Sequence, residues 1–235
     1  MYKYEIHCHT KETSRCGRCP AADMVKAYHQ KGFAGVVITD HFVNGYSYSA
    51  FPNTWKDKMD AFVKGYNAAK ETGDALGMKV YFGFEYTNDG NNGEDYLVIG
   101  LTPQNLYDDL VDCDQWTIEE LVEKVHALGG IVVRAHPFRE DDYIAESCVM
   151  RPGLNIDAIE VFNGGNKKEI YNVRALELAL KEGKPMVAGS DTHHVNTTAS
   201  NYIAFEEEPQ DYAAFCQAIK DRKAFIVHKQ HEEAE

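Results

Sequence analysis

The sequence predicts an α/β protein whose strands and helices alternate and whose sheet closes into a barrel. Short apolar segments alternate along the 235 residues with longer segments that have helical periodicity. The strand candidates, such as Val-Val-Ile at 36–38, are almost continuously apolar, as parallel strands buried on both faces are. This length is normal for a single α/β barrel. Closure of the sheet is inferred from the polar residues that follow the strands.

The predicted elements run through nearly the whole chain without a linker or a repeat. Eight strands are predicted at residues 2–8, 35–39, 79–84, 96–101, 131–135, 158–162, 185–188 and 202–205. Five helices are predicted at residues 21–31, 54–76, 117–128, 167–181 and 210–222. Thr117 and Glu120 have the spacing of a capping box, and Gly32, Gly129 and Gly183 stand where three helices should end. We therefore expect one domain over residues 1–228 and a short charged tail at 229–235.

The composition argues against several classes of binding partner. The formal net charge of −13 gives no general attraction to long nucleic acid or to an anionic membrane surface. No apolar segment has the length of a membrane span, and residues 1–9 have the pattern of a strand, not of a signal peptide. The six cysteines are then expected to be reduced thiols in a cytoplasmic protein. Cys16 and Cys19 form a C-x-x-C pair, but no second pair follows to complete a structural zinc site.

Residue types that bind metal ions follow five of the predicted strands. Since the carboxyl ends of barrel strands meet at one face, we expect these side chains to converge if the sheet closes. Imidazole and carboxylate groups together suit zinc, iron or manganese. The strand-end segments are His7-Cys8-His9, Thr39-Asp40-His41, Gly83-Phe84-Glu85, Arg134-Ala135-His136-Pro137 and Gly189-Ser190-Asp191-Thr192-His193-His194.

Each of these residues also has an ordinary structural interpretation. A single histidine at a strand end is usually a hydrogen-bonded polar residue, and H-x-H alone is a weak signal for metal. Asp191 has the residue type of a helix cap, and Glu85 that of a buried ion-pair partner. Five separate strand ends that all carry ligand-type residues are hard to explain in this way. The set as a whole therefore indicates a metal site.

These segments resemble the motifs of the PHP family, the polymerase and histidinol phosphatase superfamily. The resemblance implies a distorted (β/α)7 TIM-like barrel with its metal site at the C-terminal ends of the strands. It also implies two or three divalent ions, usually Mn, Fe or Zn, and activity that is mostly phosphoester hydrolysis. The matching motifs are H-x-H-T at 7–10, T-D-H at 39–41, G-x-E at 83–85, H-P at 136–137, E-x-x-N at 160–163 and G-S-D-x-H at 189–193.

The resemblance assigns roles to individual residues. Glu85 resembles the carboxylate that bridges two ions, and Asp40 resembles a residue that orients a ligand without touching the metal. Cys16 stands where many members have aspartate or histidine, with Glu12 nearby, and Asp95 stands where many have histidine, so all three are possible additional ligands. The seven ligands carried over by position are His7, His9, His41, Glu85, His136, Asp191 and His193.

The expected reaction is hydrolysis of a small phosphate ester. A metal-bound water has its pKa lowered from about 15.7 to about 7, so hydroxide is available to attack phosphorus. No G-x-S-x-G or P-loop motif supplies another mechanism. A metal-bound water or His193 would protonate the leaving group. The candidates for contact with the substrate phosphate are Arg139, which we favour, then Arg134, Arg15 and Arg18, with Lys167 and Lys168 as further basic residues.

Two other functions remain open at this point. The protein is alternatively an exonuclease or oligonucleotide phosphodiesterase, although its acidic balance argues against long nucleic acid. It is alternatively a non-catalytic metal-binding module, although an intact ligand set argues against that. The aromatic stretch 42–55 is either a wall that stacks on a substrate ring or an ordinary packed loop. The sequence does not give the substrate, the metal or the oligomeric state.

Overall fold

The computed structural model describes residues 1–88, 94–142, 144, 151 and 153–229. Cys148 and residues 230–235 of the expected tail lie outside the described residues. The strands are β1 (Tyr2–Glu5), β2 (Gly35–Ile38), β3 (Lys79–Asn88), β4 (Glu94–Ile99), β5 (Ile131–Arg134), β6 (Ala158–Asn163), β7 (Met186–Gly189), β8 (Asn201–Phe205) and β9 (Phe225–His228). The helices are α1 (Ala21–Gln30), α2 (Trp55–Phe62), α3 (Lys64–Leu76), α4 (Pro103–Asp108), α5 (Ile118–Ala127), α6 (Glu169–Glu182) and α7 (Tyr212–Lys220).

The strands form one sheet that is nearly closed into a barrel. Their order is β7-β6-β5-β4-β3-β2-β1-β8-β9. Beyond the carboxyl end of β1, the chain also meets the chain that follows β7: Cys8 and Thr192 form a parallel bridge, with His9 N donating to Thr192 O at 3.0 Å and Thr192 N to His7 O at 3.2 Å. This contact brings the two ends of the seven-strand segment β1–β7 together on the face where the ligand-type residues lie.

The predicted α/β barrel is confirmed, whereas the count of seven β/α units is not. The pairs β1–β2, β2–β3, β5–β6 and β6–β7 are parallel, but β4 is antiparallel to both of its neighbours, and β8 and β9 are antiparallel additions beside β1. The strand β3 extends to Asn88 and β4 begins at Glu94, so few residues connect them. A parallel crossover needs a dozen or more residues, so this connection permits only an antiparallel pair.

The helix predicted over residues 54–76 is divided into α2 and α3. Thr13 Oγ donates to the carbonyl of Phe62 at 2.9 Å and accepts from Gly65 N at 3.1 Å, so a loop side chain replaces helix hydrogen bonds at the break. A Cβ built on Gly65 would lie 2.1 Å from Oγ1 of Thr10 and 2.6 Å from Oδ2 of Asp40. The break therefore lets the start of α3 pack directly against the loop that follows β1.

Local sequence signals explain several of the other boundaries. Thr117 and Glu120 form the predicted capping box at the start of α5, with Thr117 N donating to Glu120 Oε2 at 2.8 Å. Gly183 ends α6 in the left-handed region at φ 60°, where a Cβ would be strained. The short helix α4 and the strand β9 were not predicted. Aromatic side chains such as Phe42 and Phe84, whose rings stack at 4.7 Å, fill the core that supports β3.

Candidate metal centre

Glu85 lies at the centre of a group of buried histidines. It belongs to β3, and its two carboxylate oxygens each face two imidazoles. Oε1 is 3.0 Å from His136 Nε2 and 3.4 Å from His7 Nε2. Oε2 is 2.8 Å from His41 Nδ1 and 3.5 Å from His9 Nε2. One carboxylate thus contacts ligand-type residues from the ends of three other strands.

Asp191 faces the same centre from the end of β7. Its Oδ1 is 3.2 Å from His9 Nε2 and 3.5 Å from His7 Nε2. His193 lies 3.8 Å away, measured from its Nδ1 to Oδ1 of Asp191. The structure therefore brings together all seven residues that the sequence singled out as metal ligands.

The donor atoms of this group fit a divalent metal centre. Buried polar atoms normally make a hydrogen bond, yet four atoms directed at this centre make none of acceptable geometry among the described residues, although the last two lie 2.8 Å apart: Nε2 of His7, Nε2 of His9, Nδ1 of His41 and Oε2 of Glu85. Imidazole nitrogens and carboxylate oxygens in one buried space are the donor set that zinc, iron and manganese take. Three groups of donors, each with all its ligand atoms within 4.8 Å, share these residues: His7-His9-Glu85, His7-His136-Asp191 and Glu85-Asp95-His136.

A third carboxylate, that of Glu160 on β6, contacts the histidines on the side away from Glu85. Its Oε1 lies 3.0 Å from Nδ1 of His7, and its Oε2 accepts from His136 N at 3.0 Å and from Asn163 Nδ2 at 2.8 Å. A partner on Nδ1 leaves Nε2 of His7 directed at the centre, which is the usual arrangement around a ligating histidine. The E-x-x-N motif was noted in the sequence, but no role was predicted for it.

Asp40 acts on the centre through Ser14. Ser14 Oγ donates to Asp40 Oδ1 at 2.6 Å, lies 3.2 Å from His9 Nδ1 and accepts from His41 N at 3.0 Å. Thr10 binds both oxygens of Asp40 at 2.6 Å, through its backbone N and its hydroxyl. Asp40 thus lies outside the ligand group, and its position allows it to orient His9 and His41 through Ser14.

Glu5 is a buried residue of the site that the sequence analysis missed. Its Oε1 accepts from His7 N and Ser190 N, both at 2.9 Å, and its Oε2 accepts from Tyr28 OH at 2.7 Å. Burial raises the pKa of the Glu5 carboxyl to about 7, although these hydrogen bonds oppose the shift. The carboxyl ties the end of β1 to the end of β7, next to His7 and Asp191. Its one sequence signal is a carboxylate inside a predicted strand.

Two ligand-type residues have backbone angles that are unusual for residues with a side chain. His136 has φ 24° and Asp191 has φ 49°. Such conformations each cost roughly 1–3 kcal/mol and persist where the surrounding structure imposes them. Gly189, next to this turn, has no room for a side chain, because a Cβ would lie 2.5 Å from that of His7. The backbone at the end of β7 therefore lies in close contact with the side chain of His7, which only a glycine at position 189 permits.

The charges of the site are coupled. Burial opposes ionisation of Glu85 and Asp191, but nearby histidines, and Arg139 beside Asp191, hold the pKa of both carboxyls well below the usual value. Burial likewise opposes protonation of His7, yet Asp191, Glu160 and Glu85 raise its pKa. The two carboxylates are therefore ionised and available as metal ligands.

The possible additional ligands differ in where they lie. Cys16 shares a group with His9, His41 and His193, whose ligand atoms all lie within 4.8 Å of one another. Burial raises the pKa of the Cys16 thiol, but hydrogen bonds with His193 and His41 outweigh it and lower the pKa to about 7. Asp95 approaches His136, with Oδ2 3.9 Å from Nε2.

Glu12 lies away from this cluster. Its carboxylate accepts from the backbone N of Ala21, at 3.0 Å from Oε2, and caps the start of α1. The expectation that it is a further ligand therefore finds no support in the geometry. The second cysteine of the C-x-x-C pair, Cys19, is buried in an apolar cluster.

The basic residues that the sequence offered for phosphate binding lie in different environments. Arg139 lies at the edge of the site, where Nη2 contacts Asp191 Oδ2 and donates to Asn163 Oδ1 at 2.7 Å. Arg134 is fully buried, donates to the backbone carbonyl of Asp95 at 2.6 Å and lies over the ring of Tyr96. Its contacts give it a structural role, so the geometry does not support phosphate binding by this residue.

The other four basic residues lie at the surface. Arg15 is exposed and stacks on aromatic rings, whereas Arg18 is exposed and donates its backbone N to His193 O at 2.9 Å. Lys167 pairs with Asp141 at 2.8 Å, and Lys168 lies 3.7 Å from Glu140.

Comparison with known proteins identifies a similar region and similar folds. Residues 169–224, from α6 through α7, match the model of a PHP-associated region (PHP_C). A two-domain protein from Bacteroides vulgatus that contains a predicted PHP-like metal-dependent phosphoesterase has the same fold, with a TM-score of 0.72 and 16% identity. That likeness covers 97% of this chain and 65% of the two-domain protein, so the chain spans less than two thirds of that relative. The resemblance to the PHP family is confirmed.

Two further structures are similar to this chain in fold. One is named as a metal-dependent phosphoesterase from Bifidobacterium adolescentis, with a TM-score of 0.56, 18% identity and coverage of 81% of this chain and 87% of that one. The other is an amidohydrolase from Chromobacterium violaceum with bound sulfate, with a TM-score of 0.61, 15% identity and coverage of 98% and 99%. At these identities the likeness establishes the fold. No curated protein matches the sequence. In the part of the chain that the structure describes, no helix is both long and apolar enough to cross a membrane.

Proposed function

We propose that this protein is a metal-dependent phosphoesterase that hydrolyses a small phosphate ester. The observation that carries the proposal is the buried group of imidazole and carboxylate ligand atoms around Glu85, which suits divalent metal ions. Two of the structural neighbours are named as metal-dependent phosphoesterases, and these names support the same reaction class. The substrate is a small phosphorylated molecule, since the net charge of −13 disfavours long nucleic acid.

The residues divide into two overlapping ligand sets. One ion would be held by His7, His9 and Glu85, with Asp191, whose Oδ1 lies 3.5 Å and 3.2 Å from the two histidines, and a second by His136 and Asp95, also with Glu85. Manganese, iron and zinc all accept such donors. When bound, a pair of divalent ions supplies an activated water at neutral pH and neutralises charge on the phosphoryl oxygens.

The side chains around the ligands contribute orientation and proton transfer. Glu160 and the Asp40–Ser14 pair fix the histidine rings, so that the donor atoms need little reorganisation when a metal or substrate binds. His193 is the proposed general acid for the leaving oxygen in protein whose third metal position is empty, because its Nε2 would be a ligand where that position is filled. Its side chain is 32% exposed, and its Nδ1 lies 2.9 Å from the backbone carbonyl of Asp191, which leaves Nε2 for the proton that it donates.

Arg139 is proposed to bind a non-bridging oxygen of the phosphate. It lies beside Asp191 at the partly open edge of the site, and its planar guanidinium presents several donors. Neutral Asn163 and Asn166 hold it there, with distances of 2.7 Å and 3.2 Å to their Oδ1 atoms. These contacts keep the arginine at the edge of the metal centre. Because both asparagines are neutral, they add no negative charge that would compete with the phosphate for the guanidinium.

Cys16 is proposed to be a ligand at a third position together with His41 and His193. A thiolate is a good ligand for zinc and iron, and the three side chains meet on the solvent side of the centre. This assignment makes the third position softer than the two others, which contain carboxylates.

The test of the proposed function is a substrate screen. Protein stripped of metal and then loaded separately with Mn²⁺, Fe²⁺ or Zn²⁺ is assayed with phosphomonoesters, phosphodiesters and a labelled oligonucleotide. We expect phosphate release from small monoesters that depends on the metal and is abolished by chelation. Rapid digestion of the oligonucleotide without monoester hydrolysis would instead establish a nuclease. Firm metal binding with no hydrolysis of any substrate would indicate a non-catalytic module.

A further inference from the structure

Glu5 is a carboxylate that is enclosed in protein without a cation beside it. Its side chain is completely buried at the end of β1. Buried carboxylates normally have an ion-pair partner, because removing a charge from water is costly. Among the described residues Glu5 forms no ion pair, and its partners are four neutral hydrogen-bond donors. The role of this carboxylate therefore lies in the groups to which it is hydrogen-bonded.

One oxygen of Glu5 joins the backbones of two segments that supply ligand-type residues. Oε1 accepts from Ile6 N at 3.0 Å and from His7 N and Ser190 N, both at 2.9 Å. Ser190 directly precedes Asp191, whose Oδ1 lies 3.5 Å from Nε2 of His7. A single atom thus links the chain at His7 to the chain beside Asp191, and this link restricts the distance between the two side chains.

Asp191 lies between two hydrogen bonds to the chain that leaves β1. On one side Ser190 N donates to Glu5, and on the other Thr192 N donates to His7 O at 3.2 Å. The residue between them has φ 49°, which is uncommon for a residue with a side chain. Such a conformation persists where the surrounding structure imposes it. These two hydrogen bonds impose it here, and Glu5 supplies the acceptor of one.

A tyrosine of α1 fixes the second oxygen of the carboxylate. The buried hydroxyl of Tyr28 donates to Glu5 Oε2 at 2.7 Å, and its ring packs edge-on against Phe33 with centroids 5.0 Å apart. An ionised carboxylate offers about four acceptor positions on its two oxygens, and Glu5 has four donors. Rotation of the carboxylate would therefore break contacts at both oxygens.

We propose that Glu5, oriented by Tyr28, is a positioning residue that sets the separation of His7 and Asp191 so that both bind the same metal ion. The inference rests on the proposed function, because it takes these two residues to be metal ligands. Glu5 contacts backbone nitrogens of the centre, so it acts through the positions of other residues. Residues that orient metal ligands typically contribute about tenfold to 100-fold in metal affinity.

The experiment measures the Kd for Mn²⁺ without any substrate. Metal-free protein competes with a fluorescent chelator for the ion. Glu5→Ala should raise the Kd about tenfold to 100-fold, because the backbone N–H groups lose their shared acceptor. Glu5→Gln keeps an oxygen for those N–H groups and has an amide that donates to the Tyr28 hydroxyl. It should therefore bind Mn²⁺ within severalfold of the wild-type affinity.

Asp157 is the matched control for loss of a buried acceptor. Its Oδ2 likewise accepts from a strand nitrogen, Val132 N, at 2.8 Å and lies 2.7 Å from a helix side chain, at Nε2 of His126. It directly precedes β6 and so lies at the opposite end of the strands from the metal centre. Asp157→Ala should lower the Tm and leave the Kd for Mn²⁺ unchanged, which separates lost stability from lost positioning.

Tyr28→Phe is a milder variant that keeps the contacts of Oε1. It removes the hydrogen bond that orients the carboxylate, so we expect Mn²⁺ to bind severalfold more weakly. Tyr212→Phe is its control, since the hydroxyl of Tyr212 on α7 donates to the carbonyl of Phe82, away from the ligand group. The Kd for Mn²⁺ should be the same in Tyr212→Phe as in wild-type protein.

Electron paramagnetic resonance gives a second measure of positioning. Wild-type protein loaded with two equivalents of Mn²⁺ should show the spectrum of a coupled pair of ions. At the same loading Glu5→Ala should show more of the resolved hyperfine lines of isolated Mn²⁺. A residue that contributes to folding stability alone would leave this spectrum unchanged in protein that remains folded.

The outcomes separate this inference from the proposed function. Wild-type affinity for Mn²⁺ in folded Glu5→Ala overturns the positioning role, and so do equal losses in Glu5→Ala and Glu5→Gln, since charge would then matter and not geometry. If Glu5→Ala does not fold, an unchanged Kd in Tyr28→Phe overturns it. The expected order of affinities without hydrolysis of any phosphate ester would retain the role of Glu5 and reject the phosphoesterase assignment.

Discussion

Glu85 Oε2 lies 2.8 Å from Nδ1 of His41, across the ends of the neighbouring strands β3 and β2. The same two residues form a parallel bridge in their backbones, and His41 N is held by Ser14. The backbone pairing of two strands therefore sets the distance between an imidazole and the carboxylate that four histidines surround. Because the pairing fixes this distance, the ligand atoms of His41 and Glu85 are in place before a metal ion binds.

Replacing the central carboxylate should remove metal. In Glu85→Gln the side chain keeps its size but loses the charge that two ligand sets share, so we expect loss of at least half of the bound metal. Elemental analysis of protein reconstituted with Mn²⁺ or Zn²⁺ measures this, with wild-type protein expected to hold two to three equivalents, the number that the family resemblance implies. The control is Glu71→Gln, at an exposed position on α3. Wild-type metal content in Glu85→Gln would contradict the shared-ligand arrangement.

Replacing Arg139 should affect substrate more than metal. Hydrogen bonds to charged groups contribute about 1.5–3 kcal/mol, so Arg139→Ala should lower kcat/KM by about tenfold to 150-fold while metal content stays near that of wild type. Arg174→Ala is the matched control, since Arg174 is exposed and pairs with Glu140 at 3.3 Å. Unchanged kinetics in Arg139→Ala would mean that another basic residue, Arg15 or Arg18, contacts the phosphate.

The sequence predicted which side chains the fold brings together better than it predicted how the strands pair. Residues such as His7, His136 and Asp191 follow apolar strands directly, and parallel strand ends meet at one edge, so their convergence follows from local pattern alone. The antiparallel position of β4 was not predicted, because its boundary depends on how far β3 extends beyond Phe84. Strand length of this kind is set by tertiary pairing, not by local propensity.

The residues that support the ligands were harder to predict. Glu5 and Ser14 bind backbone and side-chain atoms from distant segments, and nothing in their local sequence indicates those partners. The break between α2 and α3 depends in the same way on Thr13, which reaches it from another loop. Buried hydrogen-bond partners across the fold are a property of the tertiary structure, which periodicity does not encode.

Cys16 should be protected by metal. If its thiolate is a ligand, metal binding deprotonates and covers it, so its alkylation in the holoprotein should fall at least severalfold relative to chelated protein. Mass spectrometry after iodoacetamide treatment measures the labelling of each cysteine. Cys19, which is buried in an apolar cluster, is the internal control for general unfolding on chelation. Equal labelling of Cys16 in both states would show that it is not a ligand, and Cys16→Ser would then leave metal content unchanged.

Substitution of Gly65 should lower stability. In Gly65→Ala the new Cβ meets Thr10 Oγ1 and Asp40 Oδ2 at distances that no real contact adopts, so α3 must shift. Overpacking of this kind costs about 1–3 kcal/mol, which corresponds to a fall in Tm on the order of 2–12 °C. Thermal unfolding followed by circular dichroism measures the change, and Asn67→Ala, at an exposed position of the same helix, is the control. A Tm equal to that of wild type would mean that the packing of α3 against Asp40 is not tight.

Release of inorganic phosphate from a small phosphomonoester, measured as metal is titrated into stripped protein, tests the central claim most directly. We predict no release without metal, a rise that saturates at two to three equivalents, and at least a hundredfold lower rate in Asp191→Asn, because the amide lacks the charge that holds the ion. The control is Asp74→Asn, on the exposed face of α3. Phosphate release that is independent of metal, or undiminished in Asp191→Asn, would contradict the account.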